Sequence, residues 1–232
     1  MRTHFLHVRK AGGSAIGHAL APVAESHGIV IHGHATRLAD VPAGDRVFFF
    51  LRDPVERYVS GFNSRFRRGR PLRDLTWTEG EERAFASFRT PNALAEALGS
   101  ADPELAERAR YAMRNINHVS SSFTDWFTLA EIRSRRRSIV LLGLQSRLAS
   151  DFEVLRARLG LPDSVQLPAD PVFAHRTPPQ YDTSLSAAAR ANVSAWYAED
   201  IAFFAEYKRI REEWFGPERP GRPDLIEQLE NA

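Results

Sequence analysis

Three short stretches of the 232-residue chain could do chemistry on an anion. The first is Arg9-Lys10-Ala11-Gly12-Gly13-Ser14-Ala15. Small residues let backbone N–H groups converge on a phosphate, and a neighbouring lysine adds a mobile point charge. The second runs from Leu51-Arg52-Asp53-Pro54 to Ser60. An arginine fork with a hydroxyl near it suits a phosphate. The third is Ile31-His32-Gly33-His34. Histidine is the natural proton acceptor near neutral pH, so this pair offers a base for deprotonating a hydroxyl. Each stretch also has a plainer reading. The glycine turn could carry only a solvated lysine, Arg52 could clamp onto Asp53 or Glu56, and the histidines could bond to backbone or bind a metal.

Placing these residues needs strands that end beside them. Thr3–Val8, Gly28–Ile31, Val47–Leu51 and Ile139–Leu144 read as short apolar strands. The unbroken Val-Phe-Phe-Phe-Leu run predicts burial on both faces, as in a parallel sheet. Ser14 is the expected cap of a helix carrying Ile16, Leu20 and Val23 on one face. Asp53 and Pro54 suit the N-cap and first position of another, whose face is Val55, Tyr58, Val59, Phe62 and Phe66. Strands alternating with helices predict an α/β fold with a central parallel sheet flanked by helices. Ligands then bind at the carboxyl ends of the strands, which selects the turns after Val8, Ile31 and Leu51. His32 and His34 share a face if the strand continues, but Gly33 favours a turn.

Further along, residues 67–80 read as a loop, 81–114 as short helices broken at Thr90-Pro91 and Asp102-Pro103, and 147–159 as a helix. Residues 162–183 are proline-rich and irregular. One long helix is expected from Ser186, burying Phe203, Tyr207, Ile210 and Trp214; Trp196 and Tyr197 also read as core rather than a sugar-stacking platform. The expected organisation is one domain over 1–215, with 67–135 as a helical insertion, and a polar tail over 216–232.

Composition narrows the classes. The 31 basic and 29 acidic residues nearly cancel, leaving a net charge of +2, so broad nucleic-acid binding is not expected. Only Lys10 and Lys208 are lysine, which makes Lys10 conspicuous. With no cysteine there is no disulfide, thiolate metal site or cysteine nucleophile. No acidic or cysteine cluster accompanies the histidine pair, so no metal is expected. No apolar run reaches the roughly 20 residues of a membrane span. The N-terminal stretch lacks the apolar core of a signal peptide. The chain therefore reads as cytoplasmic and of bacterial type, without a transmembrane segment. Walker A, Gly-x-Gly-x-x-Gly and nucleophile-elbow patterns are all absent.

Two of the stretches together resemble a known family. His7-Val8-Arg9-Lys10-Ala11-Gly12-Gly13-Ser14 resembles the 5′-phosphosulfate loop of carbohydrate-type sulfotransferases, His-x-Pro-Lys-Thr-Gly-Gly-Thr/Ser. Phe50-Leu51-Arg52-Asp53-Pro54-Val55-Glu56-Arg57-Tyr58-Val59-Ser60 is similar to their 3′-phosphate motif, Arg-Asp-Pro-x-x-Arg-x-x-Ser. The likeness is strong over 4–66, weaker over 138–161, weak over 175–207, and absent over 67–135. It implies a P-loop-like three-layer fold and 3′-phosphoadenosine 5′-phosphosulfate (PAPS) as donor. Arg9 to Ala15, including Lys10, Ala11, Gly12, Gly13 and Ser14, would hold the phosphosulfate, with Lys10 on the leaving group. Arg52 and Ser60 would hold the 3′-phosphate. The His-x-His pair resembles that of uronyl 2-O-sulfotransferases, which implies His34 as base and His32 as reserve. Arg9 stands where the family has proline, which should loosen the loop. Ala11 stands in place of threonine, which removes a hydroxyl contact.

The implied acceptor is a hydroxyl of a carbohydrate or glycolipid. It would be an anionic one if Arg65, Arg67, Arg68, Arg70 and Arg73, or Arg133 and Arg135 to Arg137, serve it; such runs are more often solvated faces. His175-Arg176 would lie over the nucleotide, and His4, His7, His18, His27 and His118 read as structural or surface residues. Two other readings remain open: a P-loop-type nucleotide phosphotransferase, and a catalytically inactive nucleotide-binding module.

Overall fold

A computed structural model describes residues 1–174 and 176–216. Its centre is a four-stranded sheet of β1 (Thr3–Leu6), β2 (Ile29–Ile31), β3 (Arg46–Leu51) and β4 (Ile139–Leu144), in the order β2-β1-β3-β4. Every pairing is parallel, with Phe5 beside Phe48 and Leu51 beside Leu144. The strands are apolar because both sheet faces are covered: β1 and β4 are buried throughout, and only Arg46 of β3 is partly exposed. Fully burying each phenylalanine of the Phe48-Phe49-Phe50 run contributes roughly 2–3 kcal/mol.

Helix α1 (Gly13–Leu20) follows β1, and α2 (Pro54–Phe66) follows β3. Asp53 caps α2 by accepting from the Val55 and Glu56 N–H groups, with Pro54 in the first turn. Helices α3 (Glu79–Ser87), α4 (Pro91–Ala97) and α5 (Pro103–Asn115) are capped by Thr78, Thr90 and Asp102. Helix α6 (Leu129–Ser134) leads into β4, and α7 (Leu148–Leu159) ends on Gly160 in the left-handed region. The predicted helix from Ser186 is two helices, α8 (Ala187–Trp196) and α9 (Ala198–Phe215). The break falls at Tyr197, whose hydroxyl donates to the Val119 carbonyl at 2.5 Å. Ser14 does not cap α1, as the sequence suggests. The cap position is Gly12, at φ 88°, and no side chain bonds the first turn. The residues after 216 and His175 lie outside the described residues, so the predicted tail and the role of His175 are not described.

Apolar side chains form two clusters. One wraps the sheet and takes in α9 through Phe203, Phe204, Tyr207 and Ile210. The other is helical, joining Val55, Tyr58 and Phe62 of α2 to α3, α4, α5 and α8. A buried ion pair bridges them. Arg57 of α2 donates to Asp200 of α9 at 2.5 Å and to the Ser121 carbonyl at 2.6 Å. Asp200 also accepts from the Phe123 amide and the Ser122 hydroxyl. This network, carried by Nη2 of Arg57 alone while its Nε and Nη1 are buried without a partner, ties the 121–123 loop to α2 and α9. On the other flank, Arg211 of α9 donates to Asp151 of α7 and to the Leu142 carbonyl, while Asp151 accepts the Leu144 amide. Among the described residues no helix is long and apolar enough to cross a membrane.

Candidate active site

A cavity of about 1040 Å³ opens over the carboxyl ends of β1, β3 and β4. The turns after these strands form its floor. Residues of the 64–75 segment, Asn117 and His118, and residues 167–169, 174, 176 and 177 form its walls.

The β1–α1 turn is tightly wound. Lys10 and Gly12 both take positive φ, 64° and 88°, a conformation that costs a lysine energy. A Cβ on Gly13 would collide with the His7 ring, and one on Gly12 would press on Leu148 at 3.0 Å. Both glycines are therefore required where the turn passes under neighbouring side chains. The first turn of α1 holds no acidic residue and no side-chain cap. The Ala15 and Ile16 N–H groups donate to the Gly12 carbonyl, which leaves those of Gly13 and Ser14 for an anion, and Gly12, Gly13, Ser14 and Ala15 line the cavity. Lys10 lines it too. Burial, reinforced by the charges of Arg67 and Arg52, pushes the Lys10 ammonium down to about 7.

Arg52 and Ser60 face the same cavity from the end of β3 and from α2. Arg52 donates to Glu56 at 3.2 Å, so the clamp anticipated above exists. Its Nε is nevertheless buried without a partner. One edge of the guanidinium is engaged and another group is left to bond.

His34 is pinned at both ends. Its Nδ1 lies 2.8 Å from the His7 carbonyl, and its own carbonyl accepts from Trp126 Nε1 at 2.8 Å. A carbonyl can only accept, so Nδ1 carries the proton and Nε2 keeps a lone pair. Burial holds His34 below the ordinary histidine range despite that hydrogen bond, so the ring is neutral at pH 7. His32 is placed differently and does not line the cavity. Its Nε2 lies 2.8 Å from His4 Nδ1 and its Nδ1 3.3 Å from Thr36, while His4 Nε2 reaches Asp45 at 3.1 Å.

The structure thus brings Arg9, Lys10, Gly12, Gly13, Ser14, Ala15, His34, Arg52 and Ser60 to one cavity. It leaves out Ala11, whose side chain is buried in the sheet core, and His32. Arg9 lines the wall, donates to Ser121 Oγ at 3.0 Å and lies over the Trp126 ring. Arg70, Arg73, Arg133, Arg136 and Arg137 of the arginine runs are exposed, as solvated faces would be, but Arg65, Arg67 and Arg135 are structural. Arg65 makes a buried two-pronged ion pair with Glu81, and Arg67 is buried against the Arg70 carbonyl. Arg135 ties down the carbonyls of Val41 and Pro42. Of the first run, Arg65 and Arg73 reach the cavity. Sequence reasoning missed the whole 117–118 wall. His118 lines the cavity at φ 71° with Nδ1 buried and unpartnered. It belongs to no motif, and a positive φ on a histidine leaves no trace in sequence.

Arg9, Lys10, Arg52, Arg65, Arg73 and Arg176 are the cations of the described lining, set against the single carboxylate of Glu56. The site therefore suits a polyanion. No group of three or more potential metal ligands occurs among the described residues. A family model described as the sulfotransferase family matches residues 4–208. No curated protein and no solved structure matches the chain.

Proposed function

The chain belongs to the sulfotransferase family, and from that premise we propose that it transfers a sulfuryl group from PAPS to a hydroxyl of a carbohydrate or glycolipid. The carrying observation is the meeting, in one cavity, of an uncapped helix N-terminus with Lys10, a partly unengaged Arg52 beside Ser60, and a neutral His34 whose Nε2 is a free base. The cavity's cations, on the turn after β1 and at the end of β3, fit a donor bearing two separate anionic ends. We read the strand, glycine turn and helix as a P-loop-like element, and residues 1–215 as one domain whose 67–135 insertion walls the acceptor side. The placement of His34 supports kinship with the uronyl 2-O-sulfotransferases. A cytoplasmic location and a metal-free reaction belong to the same reading.

PAPS would supply a sulfuryl group on a phosphate leaving group. The α1 N–H groups, Ser14 and Lys10 bind that end, and Arg52 with Ser60 binds the 3′-phosphate. Lys10 offsets charge that builds on the departing phosphate, an interaction strongest in the transition state. His34 takes the acceptor proton at Nε2, and its Nδ1–H bond to the His7 carbonyl holds the ring in that tautomer. Positioning and electrostatics carry most of the work in such loose in-line transfers.

A thermal-shift comparison of adenosine 3′,5′-bisphosphate, ATP and AMP tests this reading. The bisphosphate at tenfold its dissociation constant should stabilise the protein by about 1.4 kcal/mol, and AMP much less. Stabilisation by ATP without stabilisation by the bisphosphate would favour a nucleotide phosphotransferase instead.

A further inference from the structure

Among the described residues, His118 is the cavity-wall histidine that the mechanism above leaves without a task. It follows α5 in a left-handed conformation that strains a non-glycine residue. Gly61 of α2 lies against it, where a Cβ would sit 3.3 Å from the His118 backbone. Strain kept in a cavity wall points to function there. The ring stands edge-on to His34, with centroids 6.0 Å apart. Charges on Lys10, Arg9 and Arg65 are close enough to act on it. Its Nδ1 is shut off from solvent with no partner. A lone pair is favoured at Nδ1, since the surrounding field is positive and a buried unpaired N–H is the costlier alternative. The proton then sits on Nε2.

Resting on the sulfotransferase reading, we propose that His118 recognises the sulfuryl group itself, its Nε2–H donating to a non-bridging sulfuryl oxygen and so distinguishing the loaded donor from the spent bisphosphate. The location follows from its neighbours. The group in transfer must lie between the acceptor oxygen at His34 and the leaving oxygen at Lys10, and His118 flanks both. Its neutrality matters as much. Burial and the neighbouring cations push the imidazole down to about 2, so it stays uncharged at every working pH. In a loose transfer the sulfuryl group sheds negative charge on the way to the transition state. A cation on its oxygens would hold the ground state more tightly than the transition state and slow the reaction. A neutral donor orients the group with less of that penalty.

The test compares affinities for PAPS and adenosine 3′,5′-bisphosphate in the wild type and in His118→Asn, asparagine being a residue that tolerates positive φ. PAPS affinity should fall about tenfold, the loss of one hydrogen bond to a charged oxygen, with bisphosphate affinity within twofold. Equal losses for both ligands, or no loss for either, would overturn the assignment. If the variant does not fold, imidazole ¹⁵N spectra of the wild type decide. The His118 ring should be neutral with its proton on Nε2, and that resonance should move with PAPS but not with the bisphosphate. A proton on Nδ1, or identical responses to both ligands, would overturn the proposal. A wild type that binds neither ligand would bring down the sulfotransferase reading and this inference together. A wild type that binds both, with an indifferent His118, would remove this inference alone.

Discussion

Raising the pH from 7 to 9 should weaken binding of adenosine 3′,5′-bisphosphate, and Lys10 is the reason. In the free protein its ammonium is held down to about 7 by burial and by Arg67 and Arg52. An anion at the α1 turn restores the charge, so the bound form has a higher pKa than the free form. Binding must then take up a proton wherever free Lys10 is neutral, and affinity falls as pH rises through 7 toward the bound value. At pH 8 a group titrating at 7 is about nine-tenths neutral, so about 0.9 proton should be taken up per ligand. Each further pH unit should cost about 1.4 kcal/mol, or tenfold in affinity. The ligand's own phosphates ionise near pH 6, which gives the opposite or no slope in this window. Calorimetry in two buffers of different ionisation enthalpy reads the uptake directly. Lys10→Met should abolish the uptake and flatten the pH dependence. It should also stabilise the unliganded protein most below pH 7, where the wild type must keep a buried charge. The free wild type should itself gain stability between pH 7 and about 10, because its unfolded chain binds more protons there. A wild type with pH-independent affinity from 7 to 9 and no proton uptake would refute the placement of Lys10 on the anion.

On the proposed mechanism His34 sets the other side of the pH profile. There its neutral form is the active one and its pKa lies below the ordinary histidine value, so kcat/KM should be lost only at a pH below the ordinary histidine range, with the Lys10 limb above. His34→Gln should lower turnover by about 10²-fold or more while leaving bisphosphate affinity within twofold, as measured by steady-state kinetics and calorimetry; a parallel loss of affinity would contradict its role as base. Arg52→Ala should weaken the bisphosphate by about ten- to a hundredfold and AMP hardly at all. Equal loss for both ligands would move Arg52 away from the 3′-phosphate.

What was legible in the sequence was local. A buried parallel strand shows as an unbroken apolar run, a helix start shows as Asp53-Pro54, and an anion turn shows as Lys10 with two glycines. These signals need no knowledge of distant partners. What failed depended on distant partners. Arg65 looks like one more surface charge until Glu81 of another helix meets it in the core. The helical pattern runs on through Tyr197, yet the chain breaks there, where the tyrosine reaches Val119. His32 and His34 are equivalent as letters. The turn at Gly33 sends one toward the His4–Asp45 chain and the other to the cavity. His118 packs against the bare face of Gly61, a contact between residues far apart in sequence.

The same dependence bears on Arg9, which stands where the loop that this turn resembles has proline. Proline at position 9 would restrict the backbone locally, through its ring. Arg9 cannot do that, and an unrestrained loop would pay conformational entropy each time it closed on an anion. Here the restraint is tertiary. Arg9 donates to Ser121 Oγ and lies over Trp126, and Trp126 donates to the carbonyl of His34. The Ser121 carbonyl is in turn held by Arg57, whose partner is Asp200. One continuous set of contacts therefore links the anion turn, the candidate base and the buried ion pair between the two cores. Restraining the β1–α1 turn and holding His34 are then not separate structural tasks, because the segment from 121 to 126 contacts both.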